Sequence, residues 1–464
     1  MDSTIRTTAA IAMAGSLVLA GALGAPARAI DDQRASSARL TDFGYRGDVY
    51  GVKLVADNVE ALNLKDAHAQ QLCTRSVGQV VEKRSALAAP DNPLISISAS
   101  TSRTETYRDG STHGVRGTST IGDVSIGGTV GPLTTPRLVI KGLTTTANAF
   151  NTPQGYGHRE SFTFASISLD LLDDTVVQNL PPELQQLLAP LDQVTGTAFE
   201  GTQQAAQQVF DVLADATAPI QIPGLGTIAL GYESGRSNSH NAQSQASALR
   251  IEVTAGDRRQ LVELGTARVR MGGPAPVGVF RSGGTAMDYQ ALQGALRFGN
   301  VQHKALPCQG SRGRTQTYQV ADASQLVPVP VLLERVTYQV NGDQFRKKNV
   351  AKGWSRSAIG SVSIPVAQLV ISDVSSRAAM RGKPGKRVVS KVSTAIGSIT
   401  VGGQPVAVPA PGGTVELPNG IGVIQRQLVQ SDYRGSQVIA LRIKLFQEAV
   451  VIDLARTSGR IYPS

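Results

Sequence analysis

Apolar and polar residues alternate over much of this chain, with the period of two that is typical of strands buried on one face. The clearest stretches in the first part of the chain are 94–100, 115–126, 161–169, 246–253 and 261–269. The composition, with 48 Gly and only 10 Phe, 10 Tyr and 1 Trp, also favours strands joined by tight turns. The pattern predicts an all-β protein.

One region, near residues 170–218, breaks this period. Its apolar residues follow the three-or-four spacing of a helix, while Gln and Asp occupy the other face. The apolar positions are Phe199, Ala206, Val209, Phe210 and Leu213. We expect a helical insertion that packs on a sheet or on a neighbouring module, or else docks a partner or covers a ligand.

Short motifs recur in the same order in the two parts of the chain, which indicates an internal repeat. The matching segments are 121–126 with 359–364, 138–140 with 369–371, 166–169 with 398–401, 225–228 with 421–424, and 248–251 with 440–443. The spacing between matches shortens by roughly 36 residues after the third pair. The first copy therefore holds an insertion of that length where the helix is predicted.

The repeat and the length of 464 residues together predict two tandem, diverged β-sandwich or jelly-roll-like modules. The first module covers residues 30–271 and contains the helical insertion. A linker rich in Gly and Pro covers 272–284, and the second module covers 285–464. Meander and Greek-key strand orders both remain open at this point.

The N-terminus has the features of a secretory signal peptide covering residues 1–29. Arg6 precedes an apolar run at 9–23, and Ala27, Arg28 and Ala29 form a cleavage pattern. No later run reaches the ~20 apolar residues that a membrane-spanning helix requires. We therefore expect a secreted protein without a transmembrane segment after cleavage, the alternative being a retained N-terminal anchor.

Two cysteines, Cys73 and Cys308, occupy equivalent places in the two copies, because their separation falls within the range that relates the early matching segments. If the modules face each other about a pseudo-twofold axis, these residues approach each other. A disulfide across that axis would then form in an oxidising compartment, and two separate thiols are the alternative.

The net charge of +10 is unevenly distributed. From Phe280 to the C-terminus there are 23 Lys and Arg against 9 Asp and Glu, whereas the first module is net negative. A basic exported domain suits anionic wall polymers, acidic glycans or anionic lipid headgroups, and nucleic acid is a less favoured partner. The same charge also serves solubility or attraction between the modules.

Successive hairpins of an antiparallel sheet leave every second connection at the same end. Three hairpin tips of the second module should therefore gather at one basic end, which we predict to bind anionic polymer. The residues of this predicted site are Arg346, Lys347, Lys348, Lys352, Trp354, Arg381, Lys383, Lys386, Arg387, Tyr433 and Arg434.

The counterparts of these tips in the first module carry His113, His158 and His240. They are weak candidates for a metal site and are more typical of solvated loops, so neither a metal nor another cofactor is expected. Catalytic patterns are also weak. Glu160, Glu252 and Glu263 are candidates for the two facing carboxylates of a glycoside hydrolase, but nothing in the pattern pairs them.

Strand and turn motifs at 401–403, 413–422, 438–443 and 449–455 carry a family resemblance. They resemble the choice-of-anchor P family of actinobacterial exported proteins, over most of the second module and more faintly over the first. The resemblance implies a β-rich, envelope-associated extracellular body and assigns no catalytic residues. The chain departs from the family in having Arg442 where a histidine is expected and in lacking an evident C-terminal anchor.

We therefore expect a secreted, non-catalytic protein of the cell envelope or surface. Its basic second module would bind an anionic cell-wall polymer, a glycan or a surface protein. The alternative is a secreted hydrolase acting on envelope carbohydrate. A third interpretation, carriage of an apolar ligand beneath the helix, requires an enclosed apolar pocket. The sequence indicates no particular oligomeric state.

Overall fold

The structure, a computed structural model, describes residues 39–56, 59–85, 95–130, 133–170, 198–200, 220–222, 226–255, 258–291, 296–301, 304–322 and 331–462. Most of them form antiparallel strands, and the helical segments among them are three-residue turns at Arg346–Lys348, Pro365–Ala367 and Pro418–Gly420. The predicted all-β class is confirmed. Within the described ranges, no helix has the length and apolar character needed to cross a membrane.

The predicted signal peptide at 1–29 and most of the predicted helical insertion near 170–218 lie outside the described residues. One residue of the helical pattern is described and corrects it. Phe199 lies in a short strand and pairs with Leu169 of the neighbouring strand. The pairing gives this residue the extended backbone of a strand, which the helical spacing of its sequence neighbours does not predict.

The first half of the described chain, Leu40 to Gly272, forms two sheets. Its strands are β1 (Leu40–Ala56), β2 (Val59–Asp66), β3 (Ala69–Ser76), β4 (Val80–Ser85), β5 (Ile95–Ile97), β6 (Ser100–Asp109), β7 (Thr112–Val130), β8 (Leu133–Thr152), β9 (Gly155–Thr163), β10 (Ser166–Asp170), β11 (Ala198–Glu200), β12 (Ile220–Ile222), β13 (Gly226–Asn238), β14 (Asn241–Ala255) and β15 (Arg258–Gly272). Sheet A has the order β12-β13-β14-β15-β1-β2, with β3 also on β1. Sheet B has the order β11-β10-β8-β7-β6-β4, with β5 on β7 and β9 on β8.

The second half, Val279 to Tyr462, forms two further sheets. Its strands are β16 (Val279–Phe280), β17 (Gly283–Ala291), β18 (Leu296–Val301), β19 (Lys304–Ala305), β20 (Gln316–Asp322), β21 (Leu332–Phe345), β22 (Val350–Ile364), β23 (Leu369–Gly382), β24 (Val389–Ala395), β25 (Ile399–Val401), β26 (Gln404–Val406), β27 (Thr414–Glu416), β28 (Gly422–Asp432), β29 (Gly435–Leu445) and β30 (Val450–Tyr462). Sheet C has the order β27-β28-β29-β30-β17-β18, and sheet D has the order β26-β25-β23-β22-β21-β20.

Sheets A and C have the same strand order, and so do sheets B and D. Most neighbouring strands are consecutive in the chain, which is a meander. The pairing between the strands farthest apart in the sequence recurs in both halves, where β15 returns to pair with β1 and β30 returns to pair with β17. Positions in one half can therefore be compared with positions in the other by strand and register.

Alternation along the strands buries one face of each sheet against its partner sheet. In the second half the cluster joins Leu333, Ile359 and Ile371 of sheet D to Leu441 and Ile452 of sheet C. Each is 1% exposed or less, and burying an aliphatic side chain of this size contributes about 1.5–3 kcal/mol to folding. The outer faces remain available for charged residues.

The segment predicted as a linker, 272–284, is mostly buried. It contains β16 and the start of β17, and Val277 and Phe280 pack with residues of β21 to β23. Beside it, Cys73 of β3 and Cys308 form a disulfide with their Cα atoms 5.4 Å apart. Ala275 and Val279 pack around the disulfide, so apolar contacts and a covalent bond both join the two halves.

Candidate functional site

Two of the three predicted basic hairpin tips lie side by side at one end of sheet D. The turn at 346–349 is closed by the pair Phe345 and Val350, and the next residue, Ala351, pairs with Gly382. Gly382 precedes the turn that carries Lys383, Lys386 and Arg387. The register therefore places both turns at the same edge of the molecule.

The third tip, between β28 and β29 of sheet C, reaches the same edge. The backbone N–H of Val388 donates to the carbonyl oxygen of Tyr433 at 2.9 Å, which fixes this tip beside the β23–β24 turn. The next carbonyl, that of Arg434, accepts a hydrogen bond from Ile461 at 2.9 Å. All the tips named from the sequence thus lie at one end, which we call the basic end.

Most side chains of the basic end point into solvent. Arg346, Lys347, Lys348, Lys352, Arg381, Lys383, Lys386, Arg387 and Tyr433 are exposed, whereas Trp354 and Arg434 are half-buried. The Arg434 guanidinium lies over two rings, 4.6 Å from the centroid of Tyr433 and 4.5 Å from that of Tyr462. Such cation–π contacts hold the arginine in place while leaving its charge open to a ligand.

Tyr462 links the basic end to the junction of the two halves. Its ring is also covered by Arg281, at 3.8 Å from the centroid, and Arg281 donates to the carbonyl oxygen of Cys73 at 2.6 Å. Burial raises the pKa of Tyr462, but hydrogen bonding by Arg434 and the charge of Arg281 outweigh it and lower the pKa below its usual value.

A basic outer face of sheet D continues from the basic end. In register, Lys352 is opposite Arg381, Trp354 is aligned with Ala379 and Lys391, and Arg356 is opposite Arg377. The Arg377 guanidinium lies 4.8 Å from the centroid of the Trp354 ring. We call the set Lys352, Trp354, Arg356, Arg377, Arg381 and Lys391 the basic face.

Three members of the basic face, Arg356, Arg377 and Lys391, were not predicted from the sequence. Alternation indicates that Lys352, Trp354 and Arg356 share one face of β22. The register that adds Arg377 and Lys391 from β23 and β24 depends on tertiary structure. In the described part of the chain, none of the cationic side chains of the basic face forms a salt bridge with a carboxylate. Asp343, opposite Lys352 in register, is the carboxylate aligned with this face.

The three histidines of the first half have different partners. His113 packs on Phe43 with ring centroids 5.2 Å apart, and its pKa is lowered by burial and then by the charge of Arg108. His158 contacts the carboxylate of Glu160 at 3.0 Å, and His240 lies at the β13–β14 turn. No group of three or more His, Cys, Asp or Glu that could hold a metal occurs within the described ranges.

The candidate carboxylates of a hydrolase are also held by separate partners. Glu263 is 8% exposed and accepts a hydrogen bond from the Tyr50 hydroxyl at 3.1 Å, with Lys53 Nζ at 3.4 Å. Burial raises its pKa, but Lys53 and Arg268 outweigh burial and lower it. Glu160 contacts His158, and Glu252 lies on β14 opposite Thr227. The contacts of Glu263 and Glu160 are those of structural ion pairs.

Comparison with known proteins does not place the chain in a family. No protein-family profile and no curated protein matches it. Among solved structures, it aligns with one titled "Crystal structure of lipopolysaccharide binding protein", at 9% identity over 92% of this chain and 100% of that chain. The TM-score of this alignment is 0.11, which is too low to carry an argument about fold or function.

Proposed function

We propose that this is a secreted, non-catalytic protein of the cell envelope or surface that binds an anionic polymer, such as an acidic glycan or wall polymer, through its second half. The observation that carries the proposal is the basic face and basic end of sheet D. They form a continuous cationic surface on which no salt bridge to a carboxylate is found within the described ranges.

The layout of these charges suits an extended ligand. Along a strand, side chains on one face recur every ~7 Å, and neighbouring strands are ~4.8 Å apart. Lys352, Arg356 and Arg377 therefore form part of a two-dimensional array on an outer face. An array of this kind favours a polymer that makes several weak contacts at once. The ring of Trp354 adds a flat apolar surface on which a sugar ring can stack.

We also propose a repeat architecture and export. The halves are two diverged copies of one sandwich module, which is supported by the shared strand order and by the sequence matches 121–126 with 359–364 and 248–251 with 440–443. Export is supported by the signal-like N-terminus and by the disulfide, because disulfides persist mainly in oxidising compartments.

The test uses the intrinsic fluorescence of Trp354, which is the single tryptophan of the chain and lies in the basic face. Heparin serves as the probe, titrated at 50 and 300 mM NaCl. We expect Trp354 emission to change on binding. Replacing Lys347, Lys348, Lys383 and Lys386 by Ala should weaken binding about tenfold at low salt and much less at high salt, because salt screens exposed charges.

The matched control removes the same number of charges from sheet B, by replacing Arg84, Arg103, Arg116 and Arg159 by Ala. All four are exposed. This control should leave heparin affinity within about twofold of the parent. Binding that is equal in the parent and the Lys variant at low salt, or an equal loss in both variants, would overturn the proposal.

A further inference from the structure

A second cationic site lies where the two halves meet, on the outer face of sheet A. Arg46 of β1 is in register with Arg270 of β15, Arg270 with Gln243 of β14, and Gln243 with Arg236 of β13. Four neighbouring strands thus place three arginines and one glutamine in a single row. Adjacent members of the row are separated by one strand spacing, ~4.8 Å.

The loop at 306–316 of the second half faces this row. It approaches closely because Gly44 has no side chain: a Cβ at Gly44 would come within 2.6 Å of the Cβ of Cys308. The row and the loop enclose a cleft of about 700 Å³. Arg312 and Arg314 line the cleft from the loop, and His240 lines it from the β13–β14 turn. We call it the arginine cleft.

The loop that carries Arg312 and Arg314 is fixed by hydrogen bonds to β21. Ser311 N–H donates to the carbonyl oxygen of Gly342 at 2.8 Å, and the Asn341 side chain donates to the carbonyl oxygen of Gly313 at 2.7 Å. The backbone that carries both arginines is therefore fixed beside the cleft before any ligand arrives. Preorganisation of this kind lowers the cost of binding.

The residues that line the cleft include five arginines and neither Asp nor Glu. The pKa of Arg270 is lowered by burial and then by the positive charges of Arg46, Arg236 and Arg268. The pKa of Arg46 is also lowered by burial, which Asp48 opposes in part. Like charges gathered in this way repel one another, and an anion in the cleft would remove the repulsion.

We propose that the arginine cleft binds a small oxyanion ligand that carries two or more phosphate or sulfate groups. Guanidinium groups donate two parallel hydrogen bonds to such oxyanions, which explains why the cationic residues of the lining are arginines rather than lysines. The cleft has the volume of a small-molecule site. Its lining contains no Phe, Tyr or Trp, so it offers no ring for stacking on a nucleobase.

Because Arg46, Arg236 and Arg270 come from the first half and Arg312 and Arg314 from the second, the ligand would bridge the two halves. This site is separate from the basic face of sheet D, and neither proposal depends on the other. The ligand is either a free small molecule or the terminal group of a polymer, and the two cases differ in how affinity depends on chain length.

The test is calorimetric titration of the full chain with tripolyphosphate at 50 mM NaCl, compared with long-chain polyphosphate. The parent should bind one tripolyphosphate saturably. The double variants Arg46→Gln with Arg270→Gln, and Arg312→Gln with Arg314→Gln, should each bind at least about tenfold more weakly. If tripolyphosphate and long-chain polyphosphate bind with equal affinity per terminal group, the ligand is the end of a polymer. If tripolyphosphate binds more tightly, the ligand is a free small molecule. Both outcomes support the site.

The matched control, Lys383→Ala with Lys386→Ala, removes two charges at the basic end and should leave tripolyphosphate affinity within about twofold. Folding of each variant is checked by its melting temperature without ligand. A second measurement needs no variant: tripolyphosphate should protect Arg270 and Arg312 of the parent from phenylglyoxal. Absence of saturable binding, affinity of the cleft variants equal to that of the parent, or absence of protection would overturn the proposal.

Discussion

The outer faces of sheets B and D have the same strand order and differ in charge. In sheet B, Glu105 contacts Arg103 at 2.7 Å and Arg116 at 3.4 Å, so these two arginines share a carboxylate partner. In sheet D the equivalent positions, counted from the matching registers, are Asn341 for Glu105 and Trp354 for Arg116. With Asn341 in this position, the cations of sheet D lack the carboxylate partner that Glu105 provides in sheet B.

The buried faces of the same strands differ much less between the two halves. Ile121 and Ile359 occupy equivalent positions, as do Ile140 and Ile371, and all four are 1% exposed or less. Alternation separates the two faces of a strand, so the outer face can change its charge without altering the core. The outer faces of sheets B and D therefore differ in charge while their buried faces keep the same apolar residues at these positions.

Buried charges provide a second contrast, at equivalent positions of sheets A and C. In the first half, Lys53 pairs with Glu263 across β1 and β15. In the second half, both positions are acidic, Asp288 and Asp453, and both are under 5% exposed. Arg456 contacts Asp288 at 2.9 Å, and Arg442 contacts Asp453 through two hydrogen bonds of 2.6 and 2.8 Å.

The largest expected effect follows from this contrast. Arg442→Met removes both hydrogen bonds and leaves the buried carboxylate of Asp453 beside that of Asp288. The free energy of unfolding, measured in urea, should fall by about 3–5 kcal/mol. Adding Asp453→Leu to the same variant should restore most of the loss, because an apolar pair tolerates burial.

The equivalent arginine of the first half is the control. Arg250 is opposite Glu263 in register and is exposed, while Glu263 keeps Lys53 and Tyr50 as partners. Arg250→Met should therefore cost less than about 1 kcal/mol. Equal losses at the two positions would show that Asp453 does not depend on Arg442 in the way its contacts indicate.

Local patterns predicted part of this molecule. The period of two predicted the strands, and the hairpin rule gave the tips that carry Lys347 and Lys383. The arginine cleft was missed because Arg46, Arg236 and Arg270 lie far apart in the sequence, and only the register of sheet A aligns them. Burial of the segment 272–284 was missed because Gly and Pro indicate a turn but not what packs against it.

The disulfide tests how far the two halves depend on each other. Replacing Cys73 and Cys308 by Ala should lower the free energy of unfolding by about 2–4 kcal/mol, since the bond closes a long loop in the unfolded chain. Hydrogen exchange should accelerate in β3 and around Cys308 and stay unchanged in β22. The single replacements Cys73→Ala and Cys308→Ala serve as controls, because each of them breaks the same disulfide as the double variant. Unfolding of β22 in the double variant would contradict this expectation and would show that folding of the second half requires the disulfide.

A smaller effect is expected at the position where the pairing of neighbouring strands skips one residue in each half. Gly142 of β8 and Asp373 of β23 occupy equivalent skipped positions, with φ of 64° and 53°. Gly142→Ala should destabilise the protein by about 1–2 kcal/mol, because the left-handed conformation disfavours a Cβ and this one would lie 2.9 Å from Ala165. Asp373→Gly should have the opposite effect and stabilise the protein, by less than about 1 kcal/mol. Thermal unfolding measures the stability of both variants. A loss of stability in both would contradict the prediction that the two substitutions act in opposite directions.

The smallest expected effect tests the contrast between sheets B and D directly. Gln339 is opposite Arg356 in register, and it occupies the position of Arg103 in sheet B. Gln339→Glu places a carboxylate across from Arg356, and such a cross-strand pair contributes about 0.2–1 kcal/mol to stability. Heparin affinity at 50 mM NaCl should fall about fivefold, the equivalent of about 1 kcal/mol, because one cation of the basic face is neutralised. The isosteric control is Glu105→Gln in sheet B, which removes the carboxylate from Arg116 and leaves Arg103 with Glu82 at 3.8 Å. It should raise heparin affinity if pairing with carboxylates is what distinguishes the two faces. Unchanged affinity in both variants would show that position on the molecule, rather than pairing, determines which face binds.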